Sequence, residues 1–376
     1  MSLFVAWRIL IYEKGRNMLA MAGIFIAVVM IFLQLGFYAS VPEGGMQVYN
    51  HMRFDLLMTS SAYVAQSLPY DFPRQRLYQA LSLPEVESVA PFYQAEVAWL
   101  NQEEGVRRDL FVMAFKPTDN IFTVPDIEGR LDVIQRPDTV LVDTTTKPIF
   151  GPQTSGRRIE IGERSMEIGG RFVLGIGFFG LGGVVTSDLN FLRIFPYRSL
   201  ATVTLGLVRL KPGSSPDQVA GRLREVLPAD TRVFTRPELE ANDSDFWKTH
   251  TSTGIVFGFG VIISIVVGLV ILYQTLATQV TRQLPQYATL KAMGYADAFL
   301  LQVVVGLAMV MASLAFIPAF AAAVAIYAKV RTMTPLPVEM TVARVAGVFG
   351  ISVAMSAGSA LIAARILRRA DPADLF

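Results

Sequence analysis

Residues 254–276 read GIVFGFGVIISIVVGLVILYQTL, and residues 283–297 read QLPQYATLKAMGYAD. The first stretch carries no charge over 23 residues, enough for a helix to cross about 30 Å of hydrocarbon, which takes about 20 residues. The second brings proline, polar and basic groups and a glycine back to back before another apolar run begins at Phe299. Three further apolar stretches follow the pattern of the first. One runs from Met18 to Ala39, broken only by Gln34; one from Phe299 to Ala328, with Pro318 inside; one from about Val345 to Ala364. Pro318 predicts a kink or a tilt. Gly350, Ala354 and Gly358 recur at spacing four in the last stretch; such a stripe either lets another helix pack closely or reflects how common small residues are in membrane helices.

The bulk composition agrees with four spans. Of 376 residues, 52% are hydrophobic and 17% charged, with a mean hydropathy of +0.44, too apolar for an ordinary soluble domain. Thirty-three basic against 31 acidic residues leave a net charge of +2, which gives no footing for nucleic acid. The absence of cysteine excludes disulfides, thiolate catalysis and zinc-thiolate or iron-sulfur centres. The Met18 run is longer than the roughly 7 to 15 residues of a signal-peptide core, so it reads as an uncleaved anchor. Ahead of it, LFVAWRILIYEKGRN gathers Leu3, Phe4, Trp7, Leu10 and Ile11 against Arg8 and Lys14, as in a helix lying on the membrane surface or a plain extension of the first span. Arg8, Lys14, Arg16, Arg282, Lys291, Arg365, Arg368 and Arg369 share one side of the membrane, against Lys329, Arg331 and Arg344 on the other. That bias places both termini in the cytoplasm.

The resulting layout is an α-helical membrane protein with four transmembrane helices and a large α+β extracytoplasmic domain inserted between the first and second. Its expected divisions are a surface helix over 1–17, spans at 18–39, 254–277, 298–328 and 343–365, the extracytoplasmic domain at 40–253, a cytoplasmic loop at 278–297, a short outer loop at 329–342 and a tail at 366–376. Within the domain, Pro73 to Leu83 reads as a helix and VESVAPFYQAEVAWL as a strand; TVTLGLVRL reads as a strand, SPDQVAGRLREVL as a helix opening at Pro216 and DTRVFT as a strand. These two helix-strand units predict an α+β part built from 40–107 and 201–253, with a β-rich part, 108–200, inserted between them.

Little in the chain suggests catalysis. GIGFFG, from Gly175 through Gly177, Phe178 and Phe179 to Gly180, matches the dinucleotide glycine pattern after a plausible strand. It is rejected because LGGVVTSDLNF follows, with no helix N-terminus for a pyrophosphate and no acid about 20 residues on. The loop reads instead as a contact surface for an adaptor or lipid, or as a tight β-connection. His51 and His250, the only histidines, make a poor metal site without partners. Glu103, Glu104, Asp243 and Asp245 read as solvated surface. No phosphate-binding G-x-x-x-x-G-K-[ST] occurs, so any ATP used is hydrolysed by another chain.

In QLPQYATLKAMGYAD, Pro285 suits the first turn of a helix and Gly294 its stop. Tyr287, Leu290 and Lys291 fall on one face with Met293 alongside, so a short helix would present apolar and basic groups away from the bilayer. Such a helix either transmits a push or merely connects two spans.

LPQYATLKAMGY at 284–295, TSDLNFLRIFPYR at 186–198 and the tail RRADPADLF at 368–376 together resemble the FtsX/MacB superfamily of ABC-transporter permeases, most closely its DevC-like branch. The resemblance implies a non-catalytic, homodimeric inner-membrane permease docked on a cytoplasmic ABC ATPase dimer, which would bind the ATP and magnesium. It implies that the helix between the second and third spans is the coupling helix, with Tyr287, Leu290, Lys291, Ala292 and Gly294 matching the pattern, and Pro285, Gln286 and Met293 beside them. Gln286 stands where the family usually has glutamate, and Pro285 where broader members often have arginine. The resemblance further implies motion passed to the periplasmic domain, a membrane-fusion adaptor, an outer-membrane channel and export of glycolipid or other envelope material. Other branches imply an ATP-driven regulator of a periplasmic wall hydrolase, or a lipoprotein-releasing permease.

Overall fold

The computed structural model describes residues 14–175, 180–333 and 337–364. The surface helix expected before the first span lies outside the described residues for all but its last few positions, as do 176–179 of the glycine-rich loop and the 366–376 tail. The chain divides into two compact units, Met1–Ser40 with Ser252–Phe376, and Val41–Thr251.

The first unit is helical. Its helices are Lys14–Gly45, which runs on past residue 40, Ser252–Arg282, Asp297–Met333 and Val342–Ala363, all long and apolar enough to cross a membrane. They overrun the hydropathy boundaries because helical hydrogen bonding continues into the interface once a span has nucleated, and flanking polar side chains reach water from there. The third span continues through Pro318 as one helix. Ile24, Val28, Ile31 and Phe32 form one stripe of the first span, at the i, i+4, i+7, i+8 spacing of a single helix face. They pack with Leu307, Met311, Ala315, Ala319 and Ala323 of the third, every fourth residue, and with Leu272, Val348 and Met355. The alanines let backbones approach closely, which is how helices associate in lipid. The Tyr327 hydroxyl donates to the Phe32 carbonyl across the same contact.

Among the described residues the stripe of Gly350, Ala354 and Gly358 packs against no other helix. A Cβ added at Gly350 or Gly358 would meet nothing within 4 Å, and Ala354 is exposed. The fourth span instead turns Ser352, Ser356 and Ser359 inward, with Ser359 Oγ donating to the Leu269 carbonyl of the second span at 3.3 Å. A serine hydroxyl needs a carbonyl or a protein neighbour in hydrocarbon, so the serine face takes the interior and the glycines are left outside.

The second unit is an α/β domain. Its strands are β1 (Leu56–Ser60), β2 (Phe72–Pro73), β3 (Val86–Asn101), β4 (Val106–Phe115), β5 (Thr139–Asp143), β6 (Arg158–Ile161), β7 (Arg164–Phe172), β8 (Gly183–Ser187), β9 (Thr202–Val203), β10 (Leu205–Leu210) and β11 (Thr231–Thr235). Nine form one sheet in the order β11-β1-β10-β3-β4-β8-β5-β7-β6, and β2 pairs β9. The two ends of the domain sequence supply β11-β1-β10-β3, and the inserted stretch supplies the rest. The parts are not separate sheets: the long β3–β4 hairpin, paired from Phe92↔Phe115 to Asn101↔Val106, carries one into the other. Trp99 and Leu100 of β3 also pair Ile161 and Glu160 of β6, so β3-β4-β8-β5-β7-β6 returns on itself and hides its edges.

Helices cover the terminal half of the sheet. Pro216–Val226 opens on its proline and buries Val219, Ala220 and Leu223, one face at helical spacing. The Gln75–Ala80 helix packs Leu77 toward β10 at Gly206. A Cβ there would strike Leu77 and stand 3.2 Å from both Met58 Cβ and Phe72 Cζ. Gly206→Val is therefore expected to destabilise the domain by about 1–3 kcal/mol through overpacking, read as a lowered denaturant midpoint; an unchanged midpoint would show that the helix can lift without cost.

Candidate coupling site

The loop between the second and third spans forms a helix, Leu284–Ala292, with Pro285 in its first turn. It stops where Gly294 adopts φ +89° and the Tyr295 N–H donates back to the Leu290 carbonyl at 3.2 Å, a left-handed end that glycine takes without steric cost. Its orientation differs from the face expected from spacing. Tyr287 is 3% exposed and packs with Leu276 and Val280 of the second span, Leu300, Val303, Val304 and Ala308 of the third, and Ala360 and Ala363 of the fourth, with Leu290 partly buried beside it. The Tyr287 hydroxyl donates to Gln283 Oε1 at 3.1 Å, and burial pushes the phenol up to about 12. Tyr287 and Leu290 thus seat the helix in a cluster to which three spans contribute, because hydrophobic burial decides which face turns inward.

What faces outward is Pro285, Gln286, Thr289, Ala292 and Met293, followed by Gly294; Met293 is 62% exposed. Lys291 sits half-buried at the border. A rigidly seated helix with a compact rim of proline, amide, hydroxyl and thioether offers a partner shape and hydrogen bonds and carries no acid.

In the α/β domain, the glycine-rich loop is rooted at its described ends. The Gly175 N–H donates to Asp143 Oδ2 at 2.8 Å, and Gln47 Nε2 donates to the Leu174 carbonyl at 3.0 Å. Asp143 is fully buried; desolvation raises its pKa, against the lowering by the Thr145 and Gly175 N–H groups. Val173, Gly180 and Leu181 are exposed, while Gly177, Phe178 and Phe179 lie outside the described residues. The next described element is strand β8 and not a helix, which is incompatible with a dinucleotide cradle.

His51 and His250 engage local partners: His51 Nδ1 lies 2.9 Å from the Gln47 carbonyl, and His250 Nδ1 lies 2.7 Å from Thr249 Oγ1. Among the described residues no group of three acidic or histidine side chains could hold a metal. Glu103 and Glu104 pair with Arg157 and Arg108 at the surface. Asp243 departs from the surface reading altogether and is completely buried. The signal was present in Leu239, Asp243 and Trp247, all buried and spaced by four, a helical face that polar neighbours obscured.

Four spans and an α/β domain inserted after the first define a polytopic membrane protein of the permease class. The family model described as MacB-like periplasmic core domain matches residues 18–226, and that described as FtsX-like permease C-terminal matches 258–372. The chain belongs to this FtsX/MacB family of ABC-transporter permeases. It is thus a multi-pass inner-membrane protein of a family of membrane subunits that implies an ABC ATPase partner. No curated protein matches. Among solved structures, the periplasmic region of MacB from Actinobacillus actinomycetemcomitans is similar at 10% identity and a TM-score of 0.37, over 50% of this chain and 90% of that one. The extracellular domain of the noncanonic ABC-type transporter YknZ from Gram-positive bacteria is similar at 11% identity and a TM-score of 0.34, over 48% and 99%.

Proposed function

We propose that this chain is the permease subunit of an exporter in which a partner ATPase, carrying the ATP and magnesium, drives motion that the spans pass to the inserted domain. The observation that supports this reading most is the Leu284–Ala292 helix, seated through Tyr287 in a buried cluster to which three spans contribute, while Gln286, Thr289 and Met293 are exposed on its outer rim. A push on that rim reaches the second, third and fourth spans together. In this reading the rim and both termini are cytoplasmic, the permease is a homodimer, and the inserted domain is periplasmic. There it works with a membrane-fusion adaptor and an outer-membrane channel in exporting glycolipid or other envelope material. The exposed Val173 and Leu181 flanking the glycine-rich loop give that domain an apolar contact surface for adaptor or lipid.

The test is a mild-detergent pull-down of the tagged chain from its native membrane, with mass spectrometry of what accompanies it. An ABC ATPase together with a membrane-fusion adaptor is the expected result. An ATPase with a periplasmic wall hydrolase in place of the adaptor would replace export by regulation, and dependence of outer-membrane lipoproteins on this chain would replace it by lipoprotein release.

A further inference from the structure

The α/β domain is joined to the first and second spans by two connections, and at its Val41–Thr251 boundary they meet in a buried polar chain. Tyr49 lies on the Gln47–Asn50 turn that follows the first span's helix. Asp243 lies on the Arg236–Asp245 helix, which continues through a π turn, Phe246–His250, toward Ser252. Between them stands Tyr63, in the loop after β1. Its hydroxyl donates to Asp243 Oδ1 and Oδ2, both at 3.0 Å, and lies 2.8 Å from the Tyr49 hydroxyl. Since Tyr63 has spent its one proton on the carboxylate, Tyr49 is the donor in that pair. The Gln66 N–H donates to Asp243 Oδ2 at 3.1 Å. Asn242 Nδ2 donates to Asp243 Oδ1 at 3.1 Å and to the Val64 carbonyl at 2.9 Å. All three side chains of the relay are buried. A second point of contact lies beside it, where a Cβ on Gly45 would collide with the Trp247 indole.

We propose that Tyr49, Tyr63 and Asp243 form a tie that holds the connection leaving the first span and the connection entering the second at one fixed separation. A buried carboxylate without a cation is costly, and desolvation is the leading cause that carries Asp243 up to about 6. What it gains is a directed sequence of donors, Tyr49 to Tyr63 to Asp243, whose bonds polarise one another. Burial keeps both phenols protonated and therefore able to donate.

The surrounding charges do not substitute for the relay. On its own helix, Arg236 donates to the Met52 and Phe54 carbonyls, Glu238 pairs with Arg224, and Glu240 and Asp245 are exposed. On β11, Arg232 donates to the Tyr63 carbonyl at 3.3 Å and lies over the Phe234 ring. The π turn adds Lys248 and His250 at the surface, and β1 carries no titratable side chain. Ionising Asp243 therefore loosens the tie by placing a buried charge in it, with none of these groups offsetting that charge.

The absence of cysteine in the chain makes the tie measurable in the full-length protein. Asn50→Cys and Ala241→Cys, both at exposed positions on the two connections, take spin labels whose separation is read by pulsed electron resonance in detergent. Below about pH 6 the otherwise unaltered chain should give one narrow distance. Tyr63→Phe should lose that single peak, and raising the pH well above that value should broaden it in the parent but not in Asp243→Asn. Should Tyr63→Phe fail to fold, Tyr49→Phe removes only the outer hydroxyl and should show the same broadening to a smaller extent. An unchanged narrow peak in the tyrosine variants that fold would overturn the tie. A pH response that survives Asp243→Asn would overturn the assignment to Asp243. The readout is a distance within one domain, so it stands or falls apart from the export reading.

Discussion

Met293→Asp should strip the partner ATPase from an otherwise folded permease, whereas Leu290→Asp should damage the permease itself. The two residues are neighbours on one short helix, and only their orientation separates them. Met293 is 62% exposed on the outer rim, so its replacement costs the fold almost nothing. If that rim seats in a groove of the ATPase, a carboxylate there must be desolvated without a partner. The penalty is about 2 kcal/mol or more, roughly a 30-fold loss of affinity. Leu290 packs against the cluster built on Tyr287, Leu300, Val303 and Ala360, and a charge there costs about 2–3 kcal/mol of the bundle's own stability. The check pairs copurified ATPase with the thermal stability of the detergent-solubilised permease. Met293→Asp should lower the first and spare the second, and Leu290→Asp should lower the second. A Met293→Asp permease that retains its ATPase would remove the rim from the docking surface.

That contrast also marks what the sequence could and could not reveal about the site. The Leu284–Ala292 helix was legible because Pro285 and Gly294 are local signals: a fixed φ at the start and a left-handed turn at the end act within a few residues. Its inward face was not legible. Tyr287 and Met293 are both large and apolar, and which of them is buried depends on a gap left by three spans remote in sequence. The fourth span shows the same limit, since Gly350, Ala354 and Gly358 form as good a stripe on paper as Ala315, Ala319 and Ala323, yet among the described residues the three alanines of the third span pack on a neighbour while a Cβ at either glycine would meet nothing. In the domain, the strands expected at VESVAPFYQAEVAWL and DTRVFT rest on β-branched and aromatic runs and correspond to β3 and β11. The closure of β6 onto β3 depends on pairing across a long separation that no local pattern encodes.

Asp243 gives the second large expected effect, and its sign runs opposite to the usual behaviour of a carboxylate in a folded protein. Burial raises it from 3.8 to about 6, so the folded domain binds its proton more tightly than the unfolded chain does. Its contribution to stability is then fully present below about pH 4 and is lost as pH rises through about 6. A shift of about two units corresponds to roughly 3 kcal/mol across that window. Asp143, Asp188 and Asp119 are also raised by burial and slope the same way. Asp138 and Asp230, lowered by their arginine partners and only half-buried, slope weakly the other way. The useful quantity is therefore the difference between the chain and its Asp243→Asn variant, in which an amide of the same shape can still accept from Tyr63 and Gln66 but does not titrate. Urea unfolding followed by the fluorescence of Trp99, buried in the domain, should show that difference narrowing or reversing in favour of the variant as pH is raised from about 4 to about 7. Parallel curves across the window would mean that Asp243 titrates alike in both states. Its burial would then be relieved by water or by local opening, and the relay would not end on a buried carboxyl. A converging pair of curves would instead locate the cost of the buried charge at the point where the two connections meet. That is where strain set by protonation can favour one separation of the connections over another.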